Sequence, residues 1–595
     1  MSEIGGGDSV SAKRVLIYGA GDAGQMIVRE MRQNPSLGNR PVGFVDDDSA
    51  KIGRRIHGVR VLGGHRDIPD IIDRVAPTEI LLALPTVDPA DIRRIVRSLE
   101  NYKLPIKTLP TMREIIDGRV GVAQIRTLRL EDLLARPPVG LDSRAVRRLI
   151  HGRRVLVTGA GGSIGSELCR QIMSFRPASL VLFERYENSL HALRLELEDA
   201  GWGGVVVTPA IGDVTDAALV SAVFAQHRPE LVFHAAAHKH VTLMEENPCE
   251  AVKNNVRGTR IVAAAAEAAG VDRVILISTD KAANPISVMG ASKRLAELAV
   301  HAQADGSATL FAVVRFGNVL GSNGSVVPRF IEQIRAGGPV TVTHPDVRRF
   351  FMLIPEAVQL VLHAAADAHP GQTYVLDMGE QIKLVDVARN LISLSGHVPD
   401  EEIRIEFIGL RPGEKMEEEL SGVGEELRAS PIPKVFVVHD RGVPTPDFMA
   451  SVAALEELAL RGDTVRVLSA LRAMTGMGDA RVPEGAAVSA TATAPSPLKG
   501  VPSSQPGLHP CPKCGSEARR SRGHRLDQQI RKRFSALRPY RCLKCDWRGW
   551  LLPRDPTALP GTLGGETRTP DFSALDHFAS TEPPPVRSTF SPKDL

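Results

Sequence analysis

Two short strings in this chain hold side chains able to move protons. Ser278-Thr-Asp-Lys281 sets a hydroxyl, a carboxyl and an amine in consecutive positions, and Met289-Gly-Ala-Ser-Lys293 begins eight residues after Lys281. A carboxyl whose pKa is raised by burial can donate a proton near neutrality, and an amine close to another cation can be neutral enough to accept one. Asp280 and Lys281 are therefore a candidate acid and base, with Thr279 placed to orient a hydroxyl or carbonyl. Upstream lies Thr158-Gly-Ala-Gly-Gly-Ser-Ile-Gly165. Gly159, Gly162 and Gly165 allow a tight turn and close backbone approach, so that a pyrophosphate can rest on N–H groups where Ser163 and Ile164 open a helix. Glu184 follows at the spacing of about twenty residues at which a carboxylate meets a ribose hydroxyl. The adjacent Arg185 could instead meet a 2′-phosphate, which leaves NAD and NADP both open. Asp213 and Val214 stand where an adenine amine would lie, and Ala235 and Ala236 end a strand with side chains small enough for a flat cofactor to lie against.

These residues need a sheet to hold them. Arg154-Val-Leu-Val-Thr158 is a short apolar run that enters the glycine loop, and Val274-Ile-Leu-Ile277 is another that leads into Ser278. Such runs, bounded by turn residues and alternating with helical patterns, predict buried parallel strands. The pattern occurs twice, because Arg14-Val-Leu-Ile-Tyr18 enters Gly19-Ala-Gly-Asp-Ala-Gly24, with Asp46-Asp-Asp48 after the next strand. The expected fold is α/β, with two Rossmann-like, doubly wound parallel-sheet domains, a smaller substrate-binding extension and a C-terminal zinc ribbon. The expected boundaries are an N-terminal Rossmann-like domain over 1–129, a helical connector over 130–152 and an NAD(P)-binding domain over 153–479, whose substrate-binding part starts near 320. A flexible linker over 480–508, the ribbon over 509–552 and a disordered tail over 553–595 follow. The first glycine loop could hold a nucleotide or be purely structural.

The ribbon rests on Cys511-Pro-Lys-Cys514 and Cys542-Leu-Lys-Cys545, with 27 residues between the pairs. Four thiolates at this spacing suit a tetrahedral structural zinc. The basic stretch between them, with Phe534 and Tyr540, suits contact with a protein, a nucleic acid or a membrane surface. Cys169 and Cys249 stand alone and read as packing residues.

Several long strings in the chain match one family in order. They are Thr158 to Leu168, His234-Ala-Ala-Ala-His-Lys-His-Val241, Ser278 to Pro285, Val288-Met-Gly-Ala-Ser-Lys-Arg294, Val314-Arg-Phe-Gly-Asn-Val-Leu-Gly-Ser322 and Gly409-Leu-Arg-Pro-Gly-Glu-Lys415. Over about residues 130–430 the chain resembles the CapD-like polysaccharide-biosynthesis family, UDP-N-acetylglucosamine 4,6-dehydratases and relatives within the extended short-chain dehydrogenases. Short-chain dehydrogenases ordinarily carry Tyr-x-x-x-Lys where this chain has Met289 and Lys293. The Met form resembles that of the family's larger two-Rossmann members. A thioether takes no proton, so the base must lie elsewhere.

The resemblance implies an internal redox cycle on a UDP-HexNAc. Carbon 4 gives up hydride to NAD(P)⁺, the proton on carbon 5 and the hydroxyl on carbon 6 leave, and hydride returns to carbon 6. It implies Lys281 as the carbon 5 base, Asp280 as the acid, Thr279 at the carbon 4 oxygen and Lys293 on the nicotinamide ribose. Asn318, Arg329 and Arg411 would hold the diphosphate, Glu414 the uridine ribose, and Lys239 and His240 the sugar. A nucleotide-sugar 4-epimerase or reductase, or a non-catalytic sensor, are the alternatives. A homo-oligomer is expected for the family. No apolar run reaches the roughly 18 residues of a membrane span, and no signal peptide is legible, so a cytoplasmic location is expected. The net charge of +4, from 73 basic and 69 acidic residues, gives no whole-chain case for nucleic acid.

Overall fold

The computed structural model describes residues 13–35, 38–84, 89–99, 102–109, 125–134, 141–439, 447–478, 508–510, 517–520, 538–542 and 548–551. The expected linker and tail fall almost wholly outside them, as do Pro137 and Pro138 of the connector. The chain divides into two compact units, one running to residue 482 and one over residues 483–570.

The first unit contains two large sheets. In the first, β1 (Lys13–Tyr18), β2 (Asn39–Val45), β3 (Arg55–Ile56), β4 (Val59–Gly63), β5 (Glu79–Leu82), β6 (Ile106–Thr108) and β7 (Arg126–Thr127) lie in the order 3-4-2-1-5-6-7. Its centre is parallel, and its two ends close with antiparallel pairs. Val15, Leu16 and Ile17 in β1, and Ile80, Leu81 and Leu82 in β5, are buried on both faces. This is why both strands read as unbroken apolar runs.

The second sheet begins with β8 (Arg154–Thr158), β9 (Ser179–Glu184), β10 (Val206–Ile211), β11 (Leu231–His234), β12 (Arg273–Thr279) and β13 (Leu310–Phe316), ordered 10-9-8-11-12-13 and all parallel. Strand order reverses between β8 and β11. A parallel sheet opens a crevice at its carboxyl edge at such a switch point. The glycine loop leaves β8 there, and Ala235 leaves β11.

The extension adds strands to the same sheet. Gln372–Leu376 adds to β13 in parallel, and Val435–His439 and Glu426–Ala429 then continue the sheet antiparallel, to nine strands in all. The second sheet is therefore mixed rather than purely parallel. Strand 372–376 still follows a helix, Ile354–Ala366, and so continues the helix-strand alternation. The last two pair through a hairpin-like reversal that carries no such periodicity.

The first Rossmann-like part is also joined to the extension. Ile95, Leu99, Leu130 and Leu133 share one apolar cluster with Phe330, Ile334, Val387 and Leu391. Arg97 pairs with Asp386 at 3.0 Å and Lys103 with Glu402 at 2.7 Å over the rim. These exposed pairs add little, so burial must supply most of the adhesion. The helix Val288–Ala304, which carries Met289 and Lys293, is covered in turn by the helices Phe448–Leu460 and Thr464–Thr475, through Val452, Leu455 and Leu471.

In the second unit, Leu508–Pro510, Glu517–Arg520, Arg538–Cys542 and Arg548–Leu551 form a four-stranded antiparallel sheet. Cys511, Cys514 and Cys545 lie outside the described residues, and of Cys542 only the backbone is described. No helix among the described residues is long and apolar enough to cross a membrane.

Leu391 sits at 0% exposure in the shared cluster. Leu391→Ala should cost about 2–5 kcal/mol. Thermal melting followed by tryptophan fluorescence and by protease resistance of residues 13–109 should show both halves losing stability together. A shift confined to one half would argue against a common core.

Candidate functional site

The glycine loop is built for close approach. Gly159 has φ +64°, and a Cβ there would lie 2.7 Å from the backbone nitrogen of Ala236; a Cβ on Gly165 would lie 2.0 Å from the Gly159 carbonyl oxygen. Strand β8, the Ala235–Ala236 segment and the helix Ser163–Ser174 thus meet with no room for side chains. Ser163 accepts from the Asn323 N–H at 3.2 Å, and Ile164 packs on the sheet's apolar cluster. Val214 is buried, where a Cβ on Gly258 would meet its Cγ2 at 2.8 Å.

Glu184 ends β9 and turns back to this loop. Its Oε2 accepts from the Gly161 N–H at 3.0 Å, and its Oε1 from the N–H groups of Arg185 and Tyr186 at 2.9 and 3.0 Å. Arg185 donates to Asp213 at 3.3 Å. Burial works against the charged form of Asp213, but the Thr215 N–H and hydroxyl, with Arg185, hold its pKa below the ordinary value. A glycine turn at a helix N-terminus, a carboxylate at the next strand end and a floor of alanine fit an adenine dinucleotide. The first Rossmann-like part repeats the plan: Asp46, after β2, accepts from the Ala20 N–H at 2.7 Å and from Lys51 at 3.0 Å.

The Ser278–Lys281 string leaves β12 at the same edge. Asp280 to Ala282 forms one tight helical turn, and Asp280 is 1% exposed. Burial, reinforced by nearby Glu418, raises the pKa of Asp280, while Lys281 and the Thr279 hydroxyl oppose the shift. Its Oδ1 receives Thr279 Oγ1 at 2.8 Å and Lys281 Nζ at 3.0 Å, whereas its buried Oδ2 has no partner. Lys281 departs from expectation. It lies near a second cation, Arg349, yet it stands between two carboxylates, with Glu418 Oε1 at 3.2 Å on the far side from Asp280. Burial alone would drive its proton off, but the carboxylates outweigh both burial and Arg349, and the pKa lies above the ordinary lysine value. Free Lys281 is therefore an ammonium and not yet a base.

Lys293 behaves differently. It is buried, donates to the Ile277 carbonyl at 2.8 Å, and burial lowers its pKa to about 8 against the pull of Glu297. Met289 packs in an apolar cluster with Met244 and Leu295, which accords with a side chain that handles no proton.

Three of the expected substrate contacts are otherwise engaged. Asn318 Oδ1 accepts from Lys281 Nζ at 3.0 Å, which leaves its amide N–H groups as the donors that could meet a phosphate. Glu414 accepts from Arg349 at 3.0 Å, Thr343 at 2.8 Å and the Arg411 N–H at 3.2 Å, which makes it a brace for its own loop. His240 is wedged against Gly324, where a Cβ would lie 2.5 Å from its ring. Lys239 is exposed at the mouth, yet burial of its surroundings lowers its pKa. Arg329 projects from the helix Val326–Arg335, and Arg411 is half-buried in the loop that Lys415 pins to the Ala283 carbonyl at 3.2 Å.

Sequence reasoning missed the residues that hold these in place. Arg315 is fully buried and forks to Glu297 at 2.7 and 2.6 Å and to Glu425 at 2.6 and 2.9 Å. Glu297 also accepts from Ser278 at 2.6 Å. Burial would raise the pKa of Glu297, but Arg315, Arg294 and Ser278 bring it down to about 2. His234, kept neutral by burial with a pKa of about 3, spans Thr158 and Thr259 at 2.6 and 3.0 Å. Asn255, in a π-helical stretch, fastens His238 to Ser292. Arg315, Glu297 and His234 are each a polar residue inside an apolar run, the one signal that could have drawn attention to them, whereas Asn255 sits in Lys253-Asn-Asn-Val-Arg257 and gives no such signal. Among the described residues no cluster of His, Cys, Asp or Glu could hold a metal ion.

Residues 155–440 match the model of a family described as polysaccharide biosynthesis protein, and residues 9–110 match a CoA-binding domain. The chain is 43% identical over 472 residues to the probable polysaccharide biosynthesis protein EpsC of Bacillus subtilis, covering 79% of each chain. This chain belongs to the polysaccharide biosynthesis protein family. The capsular polysaccharide biosynthesis protein CapD of Staphylococcus aureus is 44% identical over 420 residues, 70% of each chain. A Campylobacter jejuni protein named UDP-N-acetylglucosamine 4,6-dehydratase (inverting) is 32% identical over 279 residues, 45% of this chain and 78% of its own. The family match spans both the glycine loop and the Asp280–Lys281 turn.

Arg315→Met leaves two buried carboxylates sharing Arg294 as their remaining cation, at 3.3 Å from Glu297 and 2.9 Å from Glu425, and should cost about 3–5 kcal/mol. Because the Glu297 pKa falls on folding from 4.5 to about 2, its contribution is present above pH 4.5 and lost as the pH drops toward 2. Denaturant melts of the wild type and Glu297→Gln should differ most above pH 5 and converge on acidification. A gap that is flat with pH would count against this account.

Proposed function

We propose that the chain is an NAD(P)-dependent 4,6-dehydratase acting on UDP-N-acetylglucosamine or a similar UDP-HexNAc, for polysaccharide or glycan biosynthesis. The observation that carries this reading is the ion pair of buried Asp280 with Lys281 on the turn after β12, together with Met289 where short-chain dehydrogenases ordinarily have tyrosine. A 4-epimerase or reductase would draw on a phenol at position 289, and Met289 offers none. The name of the Campylobacter relative supports the same choice.

Bound NAD(P)⁺ supplies the hydride acceptor and donor. The Gly159–Gly165 loop and the Ser163 helix end would hold its pyrophosphate, Glu184 or Arg185 its adenosine ribose, Asp213 and Val214 its adenine, and Lys293 its second ribose. Thr279 orients the carbon 4 oxygen. Asp280, its pKa raised by burial, keeps a proton for the departing carbon 6 hydroxyl. Lys281 takes the carbon 5 proton once it has passed its own to a neighbouring carboxylate. Arg329 and Arg411 hold the diphosphate, with Lys239 and His240 beside the sugar. The four cysteines of the second unit hold a structural zinc.

Incubation with UDP-N-acetylglucosamine in deuterated water should give a 4-keto-6-deoxy product labelled at carbon 5, seen by NMR. Lys281→Ala should lower turnover by about 10²–10⁴-fold; undiminished activity in that variant would end this assignment. Elemental analysis should find about one zinc per chain, and its loss on exchange of Cys511 and Cys514 for serine. Four freely titratable thiols and no zinc in the folded protein would reject the site.

A further inference from the structure

An ammonium has three N–H bonds, and Lys281 donates two of them, to Asp280 Oδ1 and Asn318 Oδ1 at 3.0 Å each. Glu418 Oε1 faces the same nitrogen as an ion pair at 3.2 Å. In this arrangement the ammonium has no lone pair with which to accept a proton. An amide carbonyl cannot take its proton, so only Asp280 and Glu418 can. In the dehydratase reading Asp280 keeps a proton of its own for the carbon 6 hydroxyl, which leaves Glu418 as the acceptor. Glu418 is 4% exposed, and its second oxygen is buried without a partner. Its first oxygen also faces Arg349 Nε at 3.5 Å, and Arg349 is fastened from the other side by Glu414 at 3.0 Å. The line Glu414–Arg349–Glu418–Lys281 therefore runs from the Gly409–Lys415 loop to the reactive turn, with charges alternating in sign.

We propose that Glu418 and Arg349 form a charge relay that decides whether Lys281 keeps or gives up its proton, with Glu418 the positioning residue through which the relay acts. Transfer breaks one Nζ–H bond, forms one O–H bond on Glu418 and leaves a neutral amine beside a neutral acid, so no net charge is created in the buried site. The charged groups that face Lys281 are Asp280 on its own turn, Glu418 on the segment after the loop, and Arg349 on the short strand Arg348–Arg349. Glu418 favours the ammonium and Arg349 disfavours it. Removing one or the other must then move the lysine in opposite directions. Use of the relay in turnover rests on the dehydratase reading; the relay itself belongs to the free protein.

The test labels the purified full-length chain with acetic anhydride at pH 9 and follows the Lys281 peptide by mass spectrometry. Only the neutral amine reacts. Glu418→Gln, which keeps the shape and removes the charge, should raise the labelling rate about tenfold, the effect of one pKa unit. Arg349→Gln should lower it. Melting temperatures of the variants report folding separately, and a general loss of structure would speed labelling in both. Rates that stay unchanged, or that move in the same direction, overturn the relay. With UDP-N-acetylglucosamine, the acid limb of the pH–rate profile should move to lower pH in Glu418→Gln. If no variant and no wild type turns over that substrate while labelling still moves in opposite directions, the dehydratase reading fails and the relay stands.

Discussion

A guanidinium with no water around it must find its hydrogen-bond acceptors in the protein, and Arg315 finds four in two carboxylates. Its strand, the helix of Lys293 through Glu297, and the segment beyond the Gly409–Lys415 loop through Glu425 are thereby fixed against one another. Ser278 hangs from the same carboxylate, so the turn that carries Asp280 and Lys281 takes its height above the sheet from this pair. A buried ion pair is poor as a source of stability, since desolvation offsets most of the attraction. Its value here is directional, because a planar fork admits few orientations of its partners.

Above this base the site is left deliberately incomplete in its polar contacts. Asp280 Oδ2 and Glu418 Oε2 are buried oxygens with no partner, although most such atoms in proteins have one. Burial pushes Asp280 toward its neutral form. Lys293 is a second lysine under almost the same burial, yet no carboxylate touches its nitrogen, and its pKa falls where that of Lys281 rises. Two lysines twelve residues apart in sequence thus hold protons with opposite tenacity, and the difference lies in the company each keeps.

The strands that carry chemistry were legible because burial on both faces leaves a strong apolar mark. The glycine loop was legible because a Cβ at Gly159 or Gly165 collides with backbone, a constraint that only one residue type satisfies. The place of Asp280 and Lys281 at the carboxyl edge of the sheet was legible because they follow a strand. The nine-stranded extent of the sheet was not, because Val435–His439 pairs with a strand about sixty residues away and local pattern carries no record of partners so distant. Glu418 and Arg349 escaped notice for a related reason. In a run such as Glu417-Glu418-Glu419 the sequence does not say which carboxylate turns inward, and the fold selects the middle one. The roles given to Asn318 and Glu414 came from motif position alone, which records that a residue is near a site and not which way its oxygen points.

The apolar cluster shared by the first Rossmann-like part and the helix Leu384–Leu394 bears on how such a chain can evolve. Leu130, Leu133 and Leu99 pack as a floor under that helix, whatever the first glycine loop binds. Loss of a nucleotide from that loop would therefore leave its hydrophobic positions nearly unchanged while its surface residues drift. The domain can outlive its ligand, kept as scaffolding by its neighbour, and its ancestry would remain readable in its core long after its original chemistry had gone.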